Sequence, residues 1–315
     1  RRVPFPRRMD MSKEKTKGLT SSRKRAIRAN LTGYAFIMPN LIGYTVFVFI
    51  PVIFSLVMSV MSWDGSTRPM EFVGLQNFVD IFGDRVFRGS LVHTLSYALM
   101  TVLPTLVLAL LLAVLLNSKI KGVAIFRTAF YFPYIASIVA VGAVWNMLFQ
   151  PEFGPVNEFL KFIGIANPPK WCASTDWAMT VIIIVSVWKY MGYYMVVYLA
   201  ALQGISQDLY EAAGIDGATG FKKFRYITIP MLKPTTFFVI IMMTIQCFKV
   251  FDLIYVMTGG GPGRSTNVLV NHIYNAAFVD FKFGYASASA LVLFAIVLVV
   301  TLVQFQGEKK FTDYV

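Results

Sequence analysis

Polar and apolar positions are segregated into long blocks along most of this chain. Six apolar stretches with few or no charges, at about 33–60, 91–117, 123–148, 178–203, 235–257 and 285–306, are separated by polar segments. A helix rising 1.5 Å per residue needs about 20 residues to cross roughly 30 Å of hydrocarbon, and each stretch is that long. The pattern predicts six membrane-spanning helices, an all-α integral membrane fold. Pro39, Pro51, Pro104 and Pro133 fall inside or at the ends of these spans. Kinks are tolerated there because neighbouring helices satisfy the freed carbonyls.

The polar segment between the fourth and fifth stretches, within 206–234, reads DLYEAAGIDGATGFKKFRYITIPMLKP from Asp208 to Pro234. Asp208 and Glu211 have capping-box spacing, the first accepting from orphan N–H groups and the second reaching back. Gly214, Gly217 and Gly220 punctuate the segment, which predicts a short helix, a turn, and a second helix from Phe221 to Ile229 stopped by Pro230 and Pro234. Ala212 and Ala213 are small enough to admit another protein's backbone.

Composition agrees with the blocks. The chain has 315 residues, 57% hydrophobic and only 14% charged, with mean hydropathy +0.63. That is too little polar surface for a water-soluble particle of this size. The net charge of +13 is localised, so nucleic-acid binding does not follow from it. Residues 1–30 hold eleven Lys and Arg, without periodicity or a signal-peptide cleavage pattern, and read as a poorly ordered basic tail. With both termini on one side, that side carries twenty Lys and Arg and the other seven. The positive-inside rule then places both termini and residues 206–234 in the cytoplasm. The expected organisation is a tail over 1–30, a six-span domain over 31–306 and a short tail over 307–315.

The remaining loops offer little chemistry. Trp63, Phe72, Phe78, Trp171 and Trp177 suit a membrane interface. Gly259-Gly260-Gly261-Pro262-Gly263 reads as a flexible turn; it lacks the Walker spacing and its lysine, so no nucleotide site is expected in this chain. Cys172 and Cys247 have no metal spacing, and His93 and His272 stand alone near span ends. A membrane enzyme would need a nucleophile–base pair or a metal cluster, and neither is visible.

Polar groups inside spans are costly and so are functional candidates. On the third span these are Tyr134, Ser137, Trp145 and Asn146, with Tyr134 and Ser137 at a spacing that shares one helix face. On the fourth they are Trp188, Lys189, Tyr190, Gly192, Tyr193 and Tyr194, an aromatic cluster beside one cation. On the fifth they are Gln246, Cys247, Lys249 and Asp252, where Lys249 and Asp252 could also pair with each other.

Glu211-Ala212-Ala213, Asp216-Gly217-Ala218, Phe224, Ile227 and Ile229-Pro230 resemble the EAA loop of bacterial ABC importer membrane subunits, with Ile229 where Leu is usual. The stretch from Phe251 to Pro262, with Tyr274, Ala277-Phe278, Gly284 to Ala288, Gly74 to Phe78 and Phe132-Pro133-Tyr134, resembles the carbohydrate-importing subclass. The likeness covers roughly residues 33–305 and departs at His93 and in the basic tail. It implies a six-helix permease in the bacterial cytoplasmic (inner) membrane, paired with a second six-span subunit. Two ATPase subunits would carry ATP and Mg, so this chain would hold no cofactor and do no covalent chemistry. An extracytoplasmic solute-binding protein would deliver the sugar.

The resemblance implies ATPase coupling through Asp208, Glu211, Ala212, Ala213, Gly214, Asp216, Gly217 and Ala218. By analogy with the maltose-type permease it implies a sugar site near Tyr134, Gly192 with Tyr193 or Tyr194, and Gln246, Cys247 and Val250. Cys247 and Val250 replace polar family positions. Lys189 and Lys249, if they face the pathway, would suit an anionic sugar such as a uronate or phosphate ester. The rival class is an ion-coupled secondary transporter acting alone, which predicts internal repeats, broken spans and mid-depth acids. No convincing repeat is visible, and Asp252 is the one acid inside an expected span.

Overall fold

The computed structural model describes residues 11–67, 69–117 and 121–312. It forms two compact units, Arg1–Val57 and Met58–Val315. The first contains α1 (Met11–Tyr44), a π-helical stretch (Thr45–Phe49) and the start of α2 (Ile50–Met58). Ala26–Met58 is the apolar span. Its large side chains stay exposed, Phe36 at 82% and Phe47 at 80%, as suits a helix whose solvent is hydrocarbon. The basic tail was expected to lack structure, yet helix runs from Met11 across the expected boundary at residue 30. Residues 1–10 lie outside the described residues.

In the second unit, β1 (Met61–Ser62) pairs antiparallel with β2 (Glu71–Phe72), ahead of α3 (Gln76–Gly83) and α4 (Arg85–Leu116). The third span is two helices, α5 (Val123–Ile135) and α6 (Ile138–Leu148), meeting at 99°. α7 (Pro155–Phe162) precedes the unbroken α8 (Ala178–Gln203). α9 (Gln207–Ile215) and the run α10 (Gly220–Lys223), π-helical Phe224–Thr228 and α11 (Ile229–Met231) fill the segment before the fifth span. The fifth span is α12 (Lys233–Phe248), bent 62° from the run before it and separated from α13 (Asp252–Met257) by Lys249–Phe251. α14 (Leu269–Phe278) and α15 (Phe283–Thr312) complete the chain. α15 continues past residue 307, so the expected C-terminal tail is helical to Thr312.

Among the described residues, four helices are long and apolar enough to cross a membrane unbroken, and up to six spans result when each bent pair counts as one. The break in the third span falls where the apolar pattern continues, whereas the other bend falls at the polar edge of the fifth stretch, at Lys233-Pro234. Proline placement gives part of the reason. Each π-helical stretch, Thr45–Phe49 and Phe224–Thr228, ends two residues before a proline, Pro51 and Pro230. A wider turn relieves the clash of the proline ring with the preceding turn, so Pro230 sits within helix instead of stopping it. Pro234 likewise opens α12.

The core is the long contact of α4 with α8, flanked by α5 on α8, α12 on α4 and α15, and α6 on α13. Lipid tails are as apolar as leucine, so close packing and hydrogen bonds must hold spans together. Ala109, Ala113, Val181, Ile182 and Val185 are fully buried at this contact, and the Tyr97 hydroxyl donates to Ser186 Oγ at 2.8 Å.

The loops beyond the spans are tied down. The glycine run expected to be flexible is pinned: Thr266 Oγ1 donates to the Gly261 carbonyl at 2.8 Å, and Asn267 Nδ2 donates to Ser90 Oγ at 2.9 Å. Gly259 and Gly260 take φ of 59° and 92°, which explains glycine there. Trp171, expected at the interface, is buried, its Nε1 donating to Asn157 and its ring 4.9 Å from Phe149.

His272 does not stand alone. Asp84 caps α4, accepting from the Val86 N–H at 2.7 Å, and receives the Tyr285 hydroxyl at 2.9 Å. Tyr285 has spent its proton there, so His272 Nε2, 3.2 Å from the hydroxyl, is the donor to it. Burial acts to raise the Asp84 carboxyl, but the Val86 and Tyr285 hydrogen bonds and nearby His272 outweigh it and hold it below the usual range. Burial lowers His272, partly offset by Asp84. Both folded values are depressed, so both groups stabilise the fold above their ordinary values and lose that contribution as pH falls. Thermal melting of the solubilised protein should drop from about pH 6.5 downward for His272 and further below about pH 4 for Asp84, and His272→Gln should remove the upper part of that drop. A melting temperature flat over this range would contradict the coupling.

Candidate functional site

Two places concentrate the candidate residues. The first is α9 and its turn. Ser206 is the N-cap, its Oγ accepting from the Asp208 N–H at 3.2 Å and lying 3.1 Å from Asp208 Oδ2. The expected capping box is therefore shifted: Asp208 lies inside the first turn, where a carboxylate still favours the positive helix end, and Glu211 lies a turn further on. The helix closes with the Ala218 N–H on the Ala213 carbonyl at 2.8 Å, Asp216 at the C-cap and Gly217 at φ +75°. Lys223 Nζ lies over Gly214, 3.0 Å from where a Cβ would be.

No residue of α9 is buried. Asp208, Glu211, Ala212, Gly214, Asp216 and Gly217 are exposed, and Ala213 and Ala218 are half-buried. Large apolar side chains are exposed with them: Ile215 at 89%, Phe221 at 76% and Tyr226 at 74%. Exposed apolar side chains gathered along a segment of polar sequence make it a candidate docking surface. Tyr210 ties α9 to the next helix through Thr228 Oγ1 at 2.9 Å. A cavity of about 550 Å³ opens beside Glu211, lined also by Asn117, Gln203, Tyr210 and Lys223. Only three residues, Gly204 to Ser206, join α9 to α8.

The second place is the break in the third span. Ala136 and Ser137 are extended, with ψ of 145° and 128°. Tyr134 and Ser137 therefore do not share a helix face as their spacing suggested; Ser137 is the exposed N-cap position of α6. Lys189 is buried and donates to the carbonyls of Pro133 (2.9 Å), Tyr134 (3.2 Å) and Ala136 (2.8 Å). It does not present its charge to a pathway. Three residues on, Gly192 meets the backbone of α5 so closely that a Cβ would overlap the Phe130 carbonyl oxygen.

Aromatic rings gather at this contact. Tyr134 stacks on Tyr193 at 4.4 Å with planes 20° apart, with Tyr131 5.9 Å from Tyr134. Tyr131 and Tyr193 also line a hollow of about 640 Å³ with Arg127, Val196, Val197 and Ala200; spacing alone did not single out Tyr131 or Arg127. Tyr194 is buried with Cys247 and Val250, so these three pack the core. Gln246 is exposed and reaches the Tyr190 hydroxyl at 3.4 Å. Lys249 and Asp252 are both exposed; the chain leaves helix between them, and they form no ion pair. Asn146 serves packing, its Nδ2 donating to the last carbonyls of α13 at 3.2 Å (Met257) and 3.4 Å (Val256).

Gly192→Ala should push α5 off α8. Overpacking of this kind costs about 1–3 kcal/mol, so purified protein should melt several degrees lower while Gly33→Ala, with open space around its Cβ, should not. Equal melting of the two variants would show that the close approach is not required.

Residues 81–312 match the family described as binding-protein-dependent transport system inner membrane component. The lactose transport system permease protein LacF of Rhizobium radiobacter is 36% identical over 295 residues, covering 92% of this chain and 97% of LacF. The sn-glycerol-3-phosphate transport system permease protein UgpA of Agrobacterium fabrum (strain C58) is 34% identical over 282 residues, covering 89% and 96%. A solved bacterial ABC transporter involved in the import of the acidic polysaccharide alginate superposes with a TM-score of 0.81, covering 93% of this chain and 100% of that one; at 24% identity this likeness speaks for the fold alone. This chain is therefore a member of the binding-protein-dependent inner membrane transport components, a multi-pass permease subunit.

Proposed function

We propose that this chain forms half of the translocation pathway of a sugar importer, driven from α9 by a separate ATPase. A second six-span subunit supplies the other half, two ATPase subunits bind ATP and Mg, and an extracytoplasmic binding protein delivers the substrate. This chain needs no cofactor of its own. The charge asymmetry supports a cytoplasmic position for both termini and for 206–234. The observation that carries the coupling reading is the capped, unburied α9 with Ile215, Phe221 and Tyr226 exposed beside it. A partner that displaces α9 acts on α8 through three residues, and α8 holds the broken third span.

The substrate class follows from the relatives' lactose and sn-glycerol-3-phosphate, and from stacked tyrosines with nearby polar groups, which suit a sugar's apolar face and hydroxyls. Tyr131, Tyr134, Ser137, Tyr193, Gln246, Lys249 and Asp252 remain accessible for contact. Selection for an anionic sugar now rests on Lys249, because Lys189 is spent on backbone carbonyls. Broken spans are a feature the rival secondary transporter also predicts, but family membership favours the importer.

Ile215→Asp and Glu211→Lys should leave the protein inserted and its melting within about a degree of the parent, since both side chains are exposed. Either should cut uptake in the reconstituted complex to below a tenth and weaken retention of the ATPase on tagged permease. Parental uptake by both variants would refute docking at α9.

A further inference from the structure

A lysine in the middle of a span is expensive, and its usual reward is a carboxylate or a ligand. Lys189 has neither: it takes part in neither of the ion pairs found among the described residues, and its ammonium is buried under the α5–α6 break. Its partners are the Pro133, Tyr134 and Ala136 carbonyls, at 2.9, 3.2 and 2.8 Å. These are the acceptors a helix end leaves without N–H partners, and in hydrocarbon no water can take them. Three acceptors match the three donors of an ammonium, whereas a neutral amine has two. The cation also sits at the C-terminal end of α5, where the helix dipole favours it. Gly192, on the same face of α8, removes the one side-chain atom that would hold the two backbones apart.

We propose that Lys189 is the positioning residue of this pathway: its ammonium replaces the missing backbone donors, fixes the break in the third span, and thereby sets Tyr134 on Tyr193. It acts through the backbone and is not a substrate ligand. The pathway assignment of the tyrosines rests on the proposed function; the role of Lys189 in the break does not.

The break can be read directly by spin-label distance measurement in the assembled complex in nanodiscs. Labels at Ile125 and Met147 are suitable because both side chains are exposed, at 74% and 68%, and Cys172 and Cys247 would first be replaced. With legs of 1.5 Å per residue, a 99° bend puts these positions about 20 Å apart, and a straight helix puts them roughly 33 Å apart. The parent should give a narrow distribution near the shorter distance. Lys189→Met should broaden and lengthen it, and Lys189→Arg, which keeps charged donors, should restore it. Tyr97→Phe, which loses the buried bond to Ser186, serves as the generic destabilisation control and should leave the distance alone.

An unchanged distribution in Lys189→Met overturns the proposal, as does an equal shift in Tyr97→Phe. Uptake of labelled lactose or sn-glycerol-3-phosphate, whichever the parent complex carries, is then compared. A lengthened distance with parental uptake leaves Lys189 as the support of the break and removes the tyrosine pair from the pathway.

Discussion

A backbone that leaves helical geometry inside a bilayer must find its hydrogen bonds in protein, because the hydrocarbon offers none. This constraint shapes the centre of the molecule. The third span turns through 99° between Ile135 and Ile138, and the freed carbonyls are met by one ammonium from α8. The same helix face omits a side chain at Gly192 so that the two backbones can touch. α8 is held in turn along its length by α4, through small and branched residues and the Tyr97–Ser186 bond. The broken span is thus anchored on the most buried helix of the unit.

The consequences run along α8. At its middle, its aromatic face meets the break in a stack of tyrosines that remain partly accessible. Ten residues beyond Tyr193, α8 ends at Gln203, and the chain restarts after three residues as a capped helix with no buried side chain. A helix that buries nothing of its own is held in place within this chain by its caps and by Tyr210 on Thr228, while Ile215, Phe221 and Tyr226 stay exposed. Under the proposed coupling, a push on α9 would travel through residues 204–206 into α8 and so to the break.

The sequence made some of this legible and hid the rest for physical reasons. The six apolar blocks and the polar 206–234 segment stood out because charge and hydrophobicity change abruptly at their edges. The short helix, turn and second helix of that segment follow from its glycines. The cap did not: Ser206 lies two residues before Asp208, and two good capping residues so close together cannot be ranked by type alone. The break was invisible because residues 136 and 137 interrupt no apolar pattern and Pro133 also suits a mild kink. Lys189 and Asn146 were conspicuous as polar groups in spans, but their roles depend on carbonyls 53 to 56 and 110 to 111 residues away. Polarity signals that a group must be satisfied, not whether backbone or ligand does it. Trp171 was misread for the same reason, since a buried indole with a distant Asn157 looks in sequence like an interfacial one.

The account depends on α9 facing the compartment that holds ATP. The direct measurement is the sidedness of a single cysteine, Ile215→Cys, in a chain with Cys172 and Cys247 replaced, probed with a membrane-impermeant maleimide. The position is 89% exposed and should react freely from the side it faces. With the chain expressed without its ATPase, labelling is expected in inside-out vesicles and none in intact spheroplasts. Labelling of intact spheroplasts would put the helix outside, out of reach of any ATPase, and would contradict it.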